Sequence, residues 1–217
     1  MTESNKTGAP TRRGTAPITF CQDPDPISVL EEEHALQLEL CDILEHLADG
    51  LPHSIDLNLA GIAVNLLKSA WQQHTRLEEE VLFPMLRNRS ESGAHVSAML
   101  SRLEDEHETD EGLAHEIAST LKDLIQGAPL TNAESLGYML RGFFMSQRRH
   151  ISWENDVVLP LARRILLPED LEKFQAVIMM SERPVCTRQS LTQIRKHSGE
   201  VYPCGTCRST IPPAKAH

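Results

Sequence analysis

A chain of 217 residues, 40% hydrophobic and 24% charged, is sized for one globular core with some tail to spare. Its formal net charge of -10 argues against nucleic acid as the main partner, because phosphate contacts need a basic face. No apolar run approaches the roughly 18 to 20 residues that span a bilayer, and no apolar h-region follows the early charges, so no membrane partner and a cytoplasmic location are expected.

Residues 1–26 mix Pro, Gly, Ser and Thr without apolar periodicity, the composition of a disordered tail. Ser28, after Pro26, is the expected N-cap of a first helix that stops at Gly50-Leu51-Pro52. Further periodic stretches cover about 57–88, 94–126 and 133–166. In the third stretch Val96, Leu100, Leu103, His107, Asp110, Ala114, Ile117, Leu121 and Leu124 recur in steps of four and three. In the fourth, Leu136, Leu140, Phe143, Gln147, His150, Glu154, Val157 and Leu161 do the same. Such a seam faces a bundle core, and in both helices polar residues interrupt it midway.

Four long helices with short connections predict an all-α, up-down four-helix bundle over 27–182, with Pro168-Glu169-Asp170 opening a short fifth helix to about Ser181. Residues 183–217 form a basic C-terminal tail, in which Arg183, Arg188, Arg195, Lys196, Arg208 and Lys215 stand against Glu200 alone. Both tails are expected to be flexible. The cysteines, Cys21, Cys41, Cys186, Cys204 and Cys207, are odd in number and irregularly spaced, which suits a reducing compartment better than a disulfide framework.

Two segments share the pattern HxxxExxVxxP: His74 with Glu78, Val81 and Pro84, and His150 with Glu154, Val157 and Pro160. Two others read LExEH, ending at His34 and His107. Their alternation along the chain marks an internal duplication of a two-helix unit. Positions i and i+4 lie one above the other on a helix, so each HxxxE aims an imidazole and a carboxylate at one place. His34 and His107 add imidazoles from neighbouring helices. Burying four imidazoles and two carboxylates together without a cation would leave polar groups unsatisfied at a cost of several kcal/mol, whereas a metal satisfies them all. Mixed imidazole and carboxylate donors suit iron or manganese, and the lack of thiolates argues against closed structural zinc.

On these motifs the chain resembles the hemerythrin-like HHE cation-binding family over about residues 27–182, and HTRLEEEVLFPML is especially like that family's second helix. The resemblance implies an oxo-bridged di-iron site in which His34 and His74 bind one iron, His107 and His150 bind the other, and Glu78 and Glu154 bridge them. It departs from the oxygen-carrying hemerythrins, whose third helix has HxxxH and whose fourth has HxxxxD. Here Asp110 and Glu111 follow His107, and the fourth helix has HxxxE. A symmetric set of this kind leaves an open position on both irons, which favours reaction with O2, peroxide or nitric oxide over reversible O2 storage.

The expected role is therefore binding or reducing small oxidants in nitrosative or oxidative stress, or repair of iron-sulfur clusters, with an electron donor or an iron-sulfur protein as partner. If the chain is an enzyme, it is a di-iron oxidoreductase. The alternatives are a non-catalytic iron or oxygen sensor that signals through the C-terminal tail, and plain iron or O2 storage. Glu33 and Glu106 are candidates to accept hydrogen bonds from the histidines or to line a polar path. Glu111 reads as solvated or as a reserve ligand. Trp71 and Trp153 read as ordinary core or interface residues, or as shields of the site from water, and Cys41 as a small buried apolar residue. Cys204-Gly-Thr-Cys207, with Cys186 and His197, is either a set of exposed tail residues or a redox or metal-binding loop.

Overall fold

The computed structural model describes residues 25–91 and 93–180, so Cys21, both tails, the end of the fifth helix at Ser181, and Cys186, His197, Cys204 and Cys207 lie outside the described residues. The described residues form five helices and no strand. They are α1 (Pro26–Gly50), α2 (57–89), α3 (Gly93–Ile125), α4 (133–165) and α5 (Pro168–Met180).

The first cap differs from expectation. Asp25, not Ser28, is the N-cap of α1, and its carboxylate accepts from the Ser28 backbone N–H while Pro26 occupies the first turn, where its missing N–H costs nothing. Asp56 and Asn132 cap α2 and α4 in the same way. Past the end of α3, Gly127 turns the chain at φ 91°, a conformation that favours glycine.

Each long helix packs against two others, α1 on α2 and α4, and α3 on α2 and α4, which is the expected up-down bundle. α5 lies against α1 and is tied to the end of α2 by Arg89, which donates to both carboxylate oxygens of Asp170 at 2.7 and 3.0 Å. The interior falls into two apolar clusters. One contains Leu40, Leu44, Leu67, Trp71, Ile117, Leu121, Leu140 and Phe143. The other, toward α5, contains Ile27, Leu30, Leu82, Phe83, Leu100, Leu103, Val158 and Phe174. The polar interruptions of the seams lie between them.

The expected seam of the fourth helix through Val157 and Leu161 needs correction. α2 contains π turns at Leu67–Trp71 and Glu78–Leu82, and α4 one at Glu154–Val158. In α4 the seam beyond Glu154 therefore runs through Val158 and Ala162, both fully buried, while Val157 and Leu161 are only partly so. Successive steps of four would drift by about 40° each on a helix of 3.6 residues per turn, and the wider turn absorbs that drift.

Candidate functional site

The duplicated motifs converge. α1 supplies His34, α2 supplies His74 and Glu78, α3 supplies His107, and α4 supplies His150 and Glu154, and each of these residues is at most 3% exposed. His34 Nε2 lies 3.2 Å from His74 Nε2, and His107 Nε2 lies 2.9 Å from His150 Nε2. The glutamates sit between the pairs. Glu154 carboxylate oxygens are 3.2 Å from Nε2 of both His34 and His150, while those of Glu78 are 3.3 Å from His74, 3.6 Å from His107 and 3.8 Å from His34. Two overlapping groups result, His34–His74–Glu78–Glu154 and Glu78–His107–His150–Glu154, each with its donor atoms within 4.8 Å of one another. A π turn begins at each glutamate, so the backbone widens where the carboxylate enters the interior.

All four carboxylate oxygens of Glu78 and Glu154 are sealed from solvent, and none accepts a hydrogen bond. The imidazoles, in contrast, are held from behind. His74 Nδ1 meets Glu33 at 3.0 Å, His150 Nδ1 meets Glu106 at 3.0 Å, His107 Nδ1 meets Glu79 at 2.9 Å, and His34 Nδ1 meets the Asn155 side-chain oxygen at 2.7 Å. Carboxylate and amide oxygens only accept, so each Nδ1 carries a proton and donates it. The lone pair of each neutral ring is then on Nε2, facing the glutamates.

The electrostatics follow from this crowding. Burial works against charge on His34, but the close carboxylates of Glu154 and Glu78 outweigh it and raise its pKa to about 9. His150 is raised to about 9 against burial by Glu154, Glu78 and Glu106, and His74 well above its usual range by Glu78 and Glu33. Burial pushes the carboxyls of Glu78 and Glu154 up, yet the surrounding imidazoles hold both below the usual carboxylate range, Glu78 well below it. Without another cation, protonated imidazoles balance the two carboxylates, and any cation bound between them competes with those protons.

Other expectations fare differently. Glu33 and Glu106 back two histidines, as one of their two readings had it. Glu79 and Asn155, which back the other two, went unremarked in the sequence, although each directly follows the glutamate of its HxxxE motif. Trp71 is 2% exposed and donates to Gln147 at 3.1 Å, whereas Trp153 is 48% exposed and faces away from the core, because it directly precedes the inward Glu154 on its helix. Glu111 is exposed and lines a groove of about 930 Å³ between α2 and α3 that reaches His107. Cys41 is buried, and burial pushes its thiol up to about 12, so it behaves as a small neutral core residue. Among the described residues no helix is long and apolar enough to cross a membrane.

No curated protein matches the chain. The family model of the hemerythrin HHE cation binding domain matches residues 25–162, a span that includes all six of the converging side chains.

Proposed function

The chain belongs to the hemerythrin HHE cation-binding domain family, a metal-binding helical bundle, and from that premise we propose that it holds two iron ions and binds or reduces small oxidants with them. In this reading His34 and His74 hold one iron, His107 and His150 hold the other, and Glu78 and Glu154 bridge the two. The observation that carries it is the set of four buried carboxylate oxygens that accept no hydrogen bond, facing four imidazole nitrogens whose partner nitrogens are already bonded outward. Such oxygens are costly to bury unless a cation takes them.

The spacing fits as well. Donor atoms about 2.0–2.2 Å from an ion stand about 3 Å apart at right angles and about 4 Å apart when opposite, and the separations within each group here run from 2.9 Å to at most 4.8 Å. All-nitrogen and oxygen donors suit iron, with manganese as the second choice. Iron held there supplies positions at which O2, peroxide or nitric oxide can bind and a change of oxidation state with which to reduce them. The protein's part is to hold the imidazoles by their Nδ1 protons, to exclude water, and to balance charge with the two glutamates. Stress defence or iron-sulfur repair in a reducing, cytoplasmic setting, with a separate electron donor, is the corresponding role.

Metal analysis of protein made with ample iron should find about two irons per chain. Glu78→Ala or Glu154→Ala should remove both, because each carboxylate is shared, whereas His34→Ala should chiefly weaken one. Stoichiometric zinc without iron, or full iron in both glutamate variants, would overturn the assignment.

A further inference from the structure

The duplication makes the two halves of the polar layer comparable residue by residue, with α1 aligned on α3 through His34 and His107, and α2 on α4 through His74 and His150. Glu33 then matches Glu106, and the two perform the same task. Glu79 matches Asn155, and here the halves differ. Of the four histidines only His34 has an uncharged group behind it, the Asn155 side-chain oxygen at 2.7 Å, while His74, His107 and His150 each donate to a carboxylate. A carboxylate behind an imidazole makes its other nitrogen a stronger donor to a cation and brings negative charge close by, whereas an amide only orients the ring.

The surroundings differ in the same sense. The groove beside His107 is lined by Glu79, Glu80, Glu104, Glu108 and Glu111 against the cations Lys68 and Arg76. Three of those five carboxylates have neutral counterparts in the other half, namely Asn155 for Glu79, Ala35 for Glu108 and Leu38 for Glu111, and while Lys68 and Arg76 also become neutral there, Gln72 and Gln73 become Arg148 and Arg149. A cation near His107 therefore sits in a more negative field than one near His34.

Resting on the dinuclear reading above, we infer that the two positions hold divalent cations unequally: the His107–His150 position fills first, the His34–His74 position fills last and empties first, and Asn155 sets the difference. The centre then has one resident ion and one exchangeable ion. Asn155 acts through His34 and is a positioning residue.

The test is anaerobic titration of the metal-stripped full chain with Fe(II) in equilibrium dialysis. Two steps are expected, separated by roughly 10- to 100-fold in affinity. Asn155→Glu should tighten only the weaker step, by about tenfold, and Glu79→Gln should weaken only the stronger one by a similar factor. These opposite responses separate an inequality built into the protein from plain repulsion between two ions, which neither variant would assign to one step. Asn155→Asp serves if the longer side chain disturbs the helix, as circular dichroism would reveal. Two Fe(II) bound with equal affinity, or a variant that moves the wrong step or neither, overturns this inference and leaves the dinuclear centre standing. No Fe(II) bound overturns both.

Discussion

One turn from the six clustered side chains, on the side toward α5, stand Leu30, Leu82, Leu103 and Val158, none more than 2% exposed. One turn away on the opposite side stand Gln37, Trp71, Asp110 and Gln147, equally deep but polar at their tips. The duplication gives both layers their fourfold arrangement, yet one layer is hydrocarbon, whereas in the other Trp71, Gln147 and Asp110 form a hydrogen-bonded chain and Gln37 Nε2 has no hydrogen-bond partner among the described residues. Trp71 Nε1 donates to Gln147 at 3.1 Å, and Gln147 Nε2 donates to Asp110 at 2.8 Å. The aliphatic layer holds its place by volume and exclusion of water. The polar layer holds its place by pairing, and it can also hold a proton, since burial raises the Asp110 carboxyl above its ordinary range despite the Gln147 bond.

If that contrast is right, the aliphatic layer is the more sensitive to truncation. Leu82→Ala or Leu103→Ala should cost about 2–5 kcal/mol in urea unfolding, through lost burial and the cavity left behind. A cost below about 1 kcal/mol would mean that side is loosely packed and the comparison fails. Next in size, Gln147→Leu should cost about 1–3 kcal/mol for each partner it strands, the Trp71 N–H and an Asp110 oxygen. A neutral result would show that water already serves those atoms.

The smallest effect is expected from Asp110→Asn, which keeps an oxygen to accept from Gln147 and removes only the buried charge. Because the folded carboxyl titrates above the unfolded one, its ionisation opposes folding, and the penalty is present above the folded pKa and vanishes below the unfolded value near 4. The variant should thus be more stable at pH 7, with the gain shrinking to nothing as pH falls toward 4. Comparing urea midpoints of the two proteins across that range checks both size and sign, and a variant less stable at pH 7 would show that the Asp110 charge is used rather than endured.

The contrast also shows what can be read from residue order alone. His34, His74, Glu78, His107, His150 and Glu154 were legible because each is a polar interruption of an apolar seam and because the pattern occurs twice. Asp110 and Gln147 lie on the same seams, so their burial was legible too. Their bond to each other was not, because it depends on how two helices are set side by side. Glu79 and Asn155 were missed for a related reason. Each follows a buried glutamate, where a regular α-helix would turn the side chain off the seam, and only the widened turn and the neighbouring helix bring it against a histidine on α3 or α1. The Asn155 amide and the Glu79 carboxylate look like surface residues until the opposite rod is in place. Between the core and interface readings of Trp153, its phase decides, since it directly precedes the inward Glu154 and is 48% exposed.

The π turns at Glu78 and Glu154 also have a consequence for how the bundle tolerates change. Each accommodates about one residue more than a regular helix would need to cover the same rise. In α2 and α4 the cluster is therefore a seam between two phases of winding, with one apolar cluster wound in step before it and the other in step after it. Deleting a single residue within Glu78–Leu82 would return that turn to regular α-helix and leave Phe83 and Leu86 facing the interior, because the wider turn already absorbs the extra residue. The same slack lets the two apolar ends drift independently in sequence while the carboxylate between them stays aimed at the histidines. The centre works as a clutch between two otherwise separate packings, and its hold on both ends is set by where the helix is allowed to slip.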